Sequence, residues 1–254
     1  MTLILQSWQS DTEASWVGRC LKSVRDWAEG RNIRRQFEGD EIFDRVPKAL
    51  REKLVDRPQV ATDLARLQWI EHVLATETDK AIWLDADVLV FAPDRFKPKI
   101  GLEGYVFGRE VWVERDGRND MRVRRNVHNA IIAAERGNSF IPFYRHAAER
   151  LLHRMTAGPR DGLVPQVIGP KLLGALHSIV DFPLTDQVAM ISPTVLKDIA
   201  AGGGTALEAM KAEMTKIGAA PPAAANLCQS LVPNDADETD VNKAIDALLL
   251  GEVF

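Results

Sequence analysis

Residues 81–91 read Ala-Ile-Trp-Leu-Asp-Ala-Asp-Val-Leu-Val-Phe, an apolar run interrupted only by Asp85 and Asp87. A buried carboxylate is costly unless it is paired or bound to a cation, and two neighbouring carboxylates repel each other. A divalent cation at the exposed end of a strand removes both difficulties. Hard oxygen ligands suit Mg²⁺ or Mn²⁺, and Mg²⁺ is usually held by one or two carboxylates plus substrate phosphates. Such a cation could neutralise a departing diphosphate, an electrostatic route to catalysis. The pair points to phosphate chemistry, and the apolar flanks argue against the alternative of a solvated turn that happens to carry two acids.

Other residue types add less. His128 adjoins Asn129 and can face the same region, and His177 could reach the metal, although a histidine at a helix C-terminus is the blander account of it. His72, His146 and His153 fall on expected helices at solvated positions. No Ser-His-Asp or Cys-His arrangement is visible, so hydrolysis by a protein nucleophile has no support.

The acids need a scaffold, and the surrounding pattern supplies one. Residues 3–5 read as a short buried strand. Trp16, Val17, Cys20, Leu21, Val24, Trp27 and Ala28 recur at helical spacing up to Gly30. Residues 32–37 form a second expected strand, residues 60–75 a helix, and residues 81–84 the strand that delivers the acids. Farther on we expect a strand over 104–113, a charged loop over 114–125, a strand over 127–133 and a helix over 140–155. A short helix follows Gly169-Pro170, with a last strand over 178–182 and a tail of helices joined by flexible turns from about 199. Alternating strands and helices favour an α/β domain with a mostly parallel central sheet flanked by helices. Ligands gather at the carboxyl ends of strands in such sheets, which is where Asp85 and Asp87 would lie. The expected organisation is one domain over residues 1–198 with a helical extension, 199–254, packed on it.

Bulk properties narrow the function classes. The 254 residues include 32 Lys and Arg against 36 Asp and Glu, a net charge of -4 that argues against a general nucleic-acid binder. Cys20 and Cys228 match no metal spacing and suggest no disulfide framework, so a reducing, cytoplasmic setting is expected. No window reaches the roughly 20 apolar residues of a membrane span. Peripheral membrane contact stays open.

At this point the chain resembles glycosyltransferases of the GT-A fold, with Asp85-Ala86-Asp87 as their D-x-D motif. It is similar in particular to the D-x-D sugar-binding group that includes outer-chain mannosyltransferases and the large glucosylating toxins. Gln6-Ser7-Trp8 looks like that group's H-Q-x-W, and Thr62-Asp63-Leu64-Ala65-Arg66 like its S-D-x-x-R helix start. Asn129-Ala130-Ile131-Ile132 looks like N-x-I-I, and Gly169-Pro170-Lys171-Leu172-Leu173 like G-P-x-L-L. These segments are colinear over residues 1–182. The chain departs from the pattern in lacking Tyr-Gly-Gly before the acids and the C-terminal His and Ser-Trp signature. Asn226 and Ser230 are the nearest candidates to take the latter's place at the metal.

The resemblance implies a single Rossmann-like GT-A domain. It places Asp87 on a Mn²⁺ or Mg²⁺ ion and Asp85 on the ribose or on the metal through water. Asp63 and Arg66 would hold donor-sugar hydroxyls, with Arg66 also near the phosphates. Gln6 and Trp8 would belong to the donor site, Trp8 against the base, and Asn129 would sit beside the transferred sugar. Without the resemblance, Asp63 and Arg66 are a helix cap and an i, i+3 ion pair, Trp8 a core aromatic, and Asn129 a strand terminator. The activity it implies is a metal-dependent, retaining hexosyltransferase that moves a sugar from a nucleotide-diphosphate donor to a glycan or glycolipid acceptor, as in polysaccharide biosynthesis. Two rivals stay open. One is a phosphohydrolase of the haloacid dehalogenase type, whose first motif is also D-x-D after a strand. The other is a nucleotide-sugar-binding protein without turnover.

Overall fold

The computed structural model describes residues 1–9, 15–155, 164–231 and 236–254. Its centre is a six-stranded sheet in the order β2 (Arg34–Glu38), β1 (Thr2–Ser7), β3 (Lys80–Leu84), β6 (Met121–Glu135), β5 (Tyr105–Arg115), β7 (Leu184–Thr185). β6 alone runs against the others, so the sheet is mostly parallel in direction, as expected.

The alternation of side chains along β1 and β3 sorts the core. Leu3, Leu5, Ala81 and Trp83 face one side and pack with Leu64, Leu67 and Ile70 of α3 (Pro58–Thr76) and Tyr144 of α4 (Phe140–Arg154). Ile4, Ile82 and Leu84 face the other side and meet Val24, Trp27 and Ala28 of α1 (Trp16–Glu29). The α1 helix starts where the sequence places it, its Ser15 side chain accepting from the Gly18 N–H at 3.2 Å. A short α2 (Lys48–Lys53) precedes α3.

A second, three-stranded sheet orders β4 (Val88–Val90), β9 (Ala224–Asn226) and β8 (Val188–Met190). It packs with α6 (Pro193–Ala200), α7 (Thr205–Lys216) and α8 (Glu238–Leu250). The 198/199 boundary falls inside α6, and residues beyond it supply a strand as well as helices. Alanine is a weak strand former, so Ala224 and Ala225 carry no strand signal, yet both are fully buried in the ladder.

Two expectations fail for physical reasons. The loop expected over 114–125 is instead the end of a long β5–β6 ribbon, turning over 116–120. Its charges hold it together: Arg124 pairs with Glu114 at 2.7 Å and Arg122 with Asp116 at 2.9 Å. A ribbon solvated at its tip carries no apolar alternation to read. The strand expected over 178–182 does not form, because Ile179 and Val180 are exposed. Phe182 instead turns its ring into an aromatic cluster with Phe107 and Phe140 at centroid distances of 5.4 and 4.9 Å.

Candidate functional site

Asp85 follows the last residue of β3, and its N–H still bonds the Ala130 carbonyl of β6 at 2.9 Å. Its side chain meets the middle of α3 at Arg66. Asp85 Oδ1 accepts from Trp83 Nε1 at 2.6 Å and lies 2.9 Å from Arg66 Nη1. Arg66 also donates to the Asn129 carbonyl at 2.9 Å and pairs with Asp63 Oδ1 at 3.0 Å. Its guanidinium lies 4.9 Å from the centre of the Trp83 ring. Asn129 Nδ2 closes the ring of contacts by donating to Asp63 Oδ1 at 2.8 Å.

The helical spacing of Asp63 and Arg66 explains why both reach the same point. One turn of α3 puts i and i+3 on one face, and that face abuts the carboxyl end of β3. Gln6, fully buried near the end of β1, donates to the Asp85 carbonyl at 3.4 Å and accepts from Arg35 Nε at 2.8 Å.

Asp87 is held from a different direction. Asn226 Nδ2 donates to its Oδ1 at 2.6 Å, and the Gln229 N–H to its Oδ2 at 2.8 Å. The Leu227 N–H bonds its carbonyl at 3.0 Å. The segment after β9 therefore clamps the second acid.

Electrostatics mark the same residues. Burial pushes the Asp63 carboxyl up to about 6; Arg66 and the Asn129 hydrogen bond pull it back, and Asp85 adds to the rise. Burial and the Asp85 charge raise Asp87 as well, against the hydrogen bonds from Gln229 and Asn226. Around Arg66 the carboxylates of Asp85 and Asp63 outweigh burial, so it stays charged.

Five of the seven residues expected from the sequence thus meet in one cluster: Gln6, Asp63, Arg66, Asp85 and Asn129. Asp87 adjoins it. Trp8 makes no contact with these side chains that fixes it in the network; it is half-buried just past β1 and packed on the apolar cluster that contains Trp16 and Ala86, the residue between the two acids. Asn226 is engaged at both ends of its amide, donating to Asp87 and accepting from the Cys228 N–H at 2.8 Å, so it orients Asp87. His177 lies elsewhere, its ring packed on Phe182 at 4.7 Å. His128 is fully buried between the Val188 carbonyl (3.1 Å) and the Ala130 N–H (3.2 Å). Burial lowers its pKa to about 4, which makes it a neutral structural bridge.

Sequence reasoning missed Trp83 and Glu110. Trp83 was readable, since it stands two residues before Asp85 on one strand and shares its side. Glu110 on β5 is pushed up to about 7 by burial, with an Asn126 hydrogen bond opposing. Its only sequence signal lay inside a strand already assigned.

The donor set fits a hard divalent cation with incomplete protein coordination. Asp85 and Asp87 are the carboxylates that would hold such a cation, and among the described residues no group of three or more His, Cys, Asp or Glu forms a cage. The Asp85 side chain is 24% exposed, so ligands from substrate and water have access.

No family model matches the chain, and no curated protein matches it. Among solved structures it is similar to a glycosyltransferase involved in the glycosylation of the major capsid of PBCV-1, at 10% identity over 97% of this chain and 99% of that one, with a TM-score of 0.47. It is also similar to an active-site mutant of LgtC, at 10% identity over 97% of this chain and 96% of that one, with a TM-score of 0.45. Likeness at this level assigns no activity to the chain.

Proposed function

We propose that the protein is a glycosyltransferase that moves a sugar from a nucleotide-diphosphate donor, with the reaction centred on the end of β3. The observation that carries this reading is the buried Asp63–Arg66–Asp85–Asn129 network beside Asp87. Asp85 and Asp87 would hold Mg²⁺ or Mn²⁺, and the bound cation supplies positive charge against the leaving diphosphate. Asp63 and Asn129 present a carboxylate and an amide suited to sugar hydroxyls. Arg66, engaged by two carboxylates and a carbonyl, acts as a positioning residue for Asp63 and Asp85; a direct role on the phosphates fits its contacts less well. The resemblance read in the sequence implies retention of anomeric configuration and a glycan or glycolipid acceptor.

The test is a thermal-shift panel of nucleotide sugars with and without Mn²⁺. A donor-specific, metal-dependent shift that disappears in Asp87→Ala is expected. Absence of any metal-dependent shift across the panel would refute the reading. Phosphate release from generic phosphoesters, unchanged by Asp63→Ala, would favour a phosphohydrolase instead. Donor binding without transfer or donor hydrolysis would favour a non-catalytic binder.

A further inference from the structure

A second recess opens between α5 (Pro170–His177) and the β5–β6 ribbon, with a volume of about 530 Å³. Pockets that take small ligands span roughly 300–1,000 Å³. Arg109 enters from β5, Arg125 and Asn126 from β6, and Lys171 and His177 from α5, while none of the residues lining the recess is an Asp or Glu. In a chain with more acidic than basic residues, 36 against 32, this local balance runs against the whole.

Among the described residues, four acids stand beside the lining residues; Glu110 hydrogen-bonds Asn126, and the other three leave basic donors over. Asp186 bonds Arg109 through Nε at 2.8 Å, which does not use its two terminal nitrogens. Glu213 bonds Arg125 through Nε and Nη2, which does not use Nη1. Asp181 lies 3.8 Å from His177 Nε2 and is almost fully exposed. The Lys171 side chain makes no ion pair or hydrogen bond among the described residues. Terminal guanidinium nitrogens and an ammonium are the donors that recognise phosphate and carboxylate groups.

The helix that lines the recess also touches the site already described. Gly169, just before α5, sits so close to the network that a Cβ there would lie 2.8 Å from Asp63 Oδ2 and 3.1 Å from Asn129 Nδ2. Gly174 closes on the recess in the same way, 2.4 Å from Asn126 Oδ1. At about 1.5 Å rise per residue, the two contacts stand roughly 7 Å apart along α5. One end of α5 therefore packs on the Asp63 cluster while its exposed side lines the basic recess, a separation within the span of a sugar.

We propose that this recess binds the anionic substituent, a phosphate or a carboxylate, of a sugar acceptor. As an acceptor site it rests on the sugar-transfer reading; as an anion site it does not. Calorimetric titration of the full chain at low salt with mannose 6-phosphate, glucuronate and neutral mannose tests it. One or both charged sugars bind and mannose does not, and which of the two binds identifies the substituent. Lys171→Glu weakens that binding at least tenfold, and so does Ala175→Glu, which adds a negative charge at another exposed lining position. Asp87→Ala binds the charged sugar as the parent does, and Lys171→Glu keeps the nucleotide-sugar shift, so the two sites fail independently. The proposal is overturned by equal binding of mannose, by no binding of either charged sugar, or by binding indifferent to both charge-reversing variants. It is equally overturned by binding lost in an Asp87→Ala variant that keeps its melting temperature, which would tie the sugar to the D-x-D site and not to the recess.

Discussion

Arg66 keeps a full charge in the interior because Asp63 and Asp85 stand within 3.0 and 2.9 Å of it. Removing one member of a buried ionic cluster leaves the remainder uncompensated, at a cost of about 3–5 kcal/mol. Arg66→Met is therefore expected to lose about that much stability in urea denaturation, because buried Asp63 and half-buried Asp85 would repel across the vacated space. Arg66→Lys recovers part of it, since an ammonium cannot contact both carboxylates and the Asn129 carbonyl in the same geometry. A methionine variant as stable as the parent would show that the network does not bind the fold together.

Asp63 gives a second measurement at this scale. Its pKa rises from 3.8 to about 6 on folding, so the folded chain holds a proton that the unfolded chain releases. The stability from this group is full below about pH 3.8 and is lost as pH rises through about 6. Relative to the parent, Asp63→Asn should gain stability between pH 4 and pH 6, by up to about 3 kcal/mol. Denaturation at intervals across that range reads the difference directly, and a flat difference contradicts the assignment. The two acids were legible as the only polar residues in an apolar run, although they lie in the turn between β3 and β4 and not on the strand. The Asp63/Arg66 spacing was legible because i and i+3 share one face of a helix.

At the scale of elements, the β5–β6 ribbon is shaped by one glycine. The register shifts between Phe107 and Gly108, and Gly108 faces the buried His128 ring. A Cβ at Gly108 would lie 2.0 Å from His128 Cε1 and Nε2, so nothing larger fits without moving the ring. That ring bridges β8 to β6 through Val188 and Ala130, next to Asn129. Gly108→Ala is expected to destabilise the chain by about 2 kcal/mol or more and to lower the nucleotide-sugar shift with it. A normal melting temperature would disprove the close packing. The ribbon tip itself was illegible, since its strands pair through charges with both faces solvated, a pattern indistinguishable from a polar loop. Helices α1, α3 and α4 were legible from their recurring apolar residues, and α5, which buries only Leu173, from Gly169-Pro170 at its start.

At the scale of the molecule, Asp87 depends on a contact 139 residues distant, from Asn226. Asn226→Ala removes that donor from a buried carboxylate, and a loss of about 1–3 kcal/mol is expected in denaturation. Because it also frees Asp87 to turn, the Mn²⁺ concentration needed for the nucleotide-sugar shift should rise; an unchanged metal requirement would mean that Asn226 does not orient Asp87. The described helices include none long and apolar enough to cross a membrane.

The division between the two levels of information follows from range. The sequence alone determined the paired acids at the end of a buried strand, the helix that carries Asp63 and Arg66, and the alternating α/β order, all set by hydrophobic periods within one element. Only the tertiary structure decided that Arg66 bridges Asp63 to Asp85, that Trp8 packs on the apolar cluster containing Ala86, and that the 226–229 segment closes over Asp87. Those contacts join segments distant along the chain, and their geometry depends on how the two sheets pack. Ala224 and Ala225 are the plainest case, becoming a central strand because of the space between β4 and β8 and not because of any preference of their own.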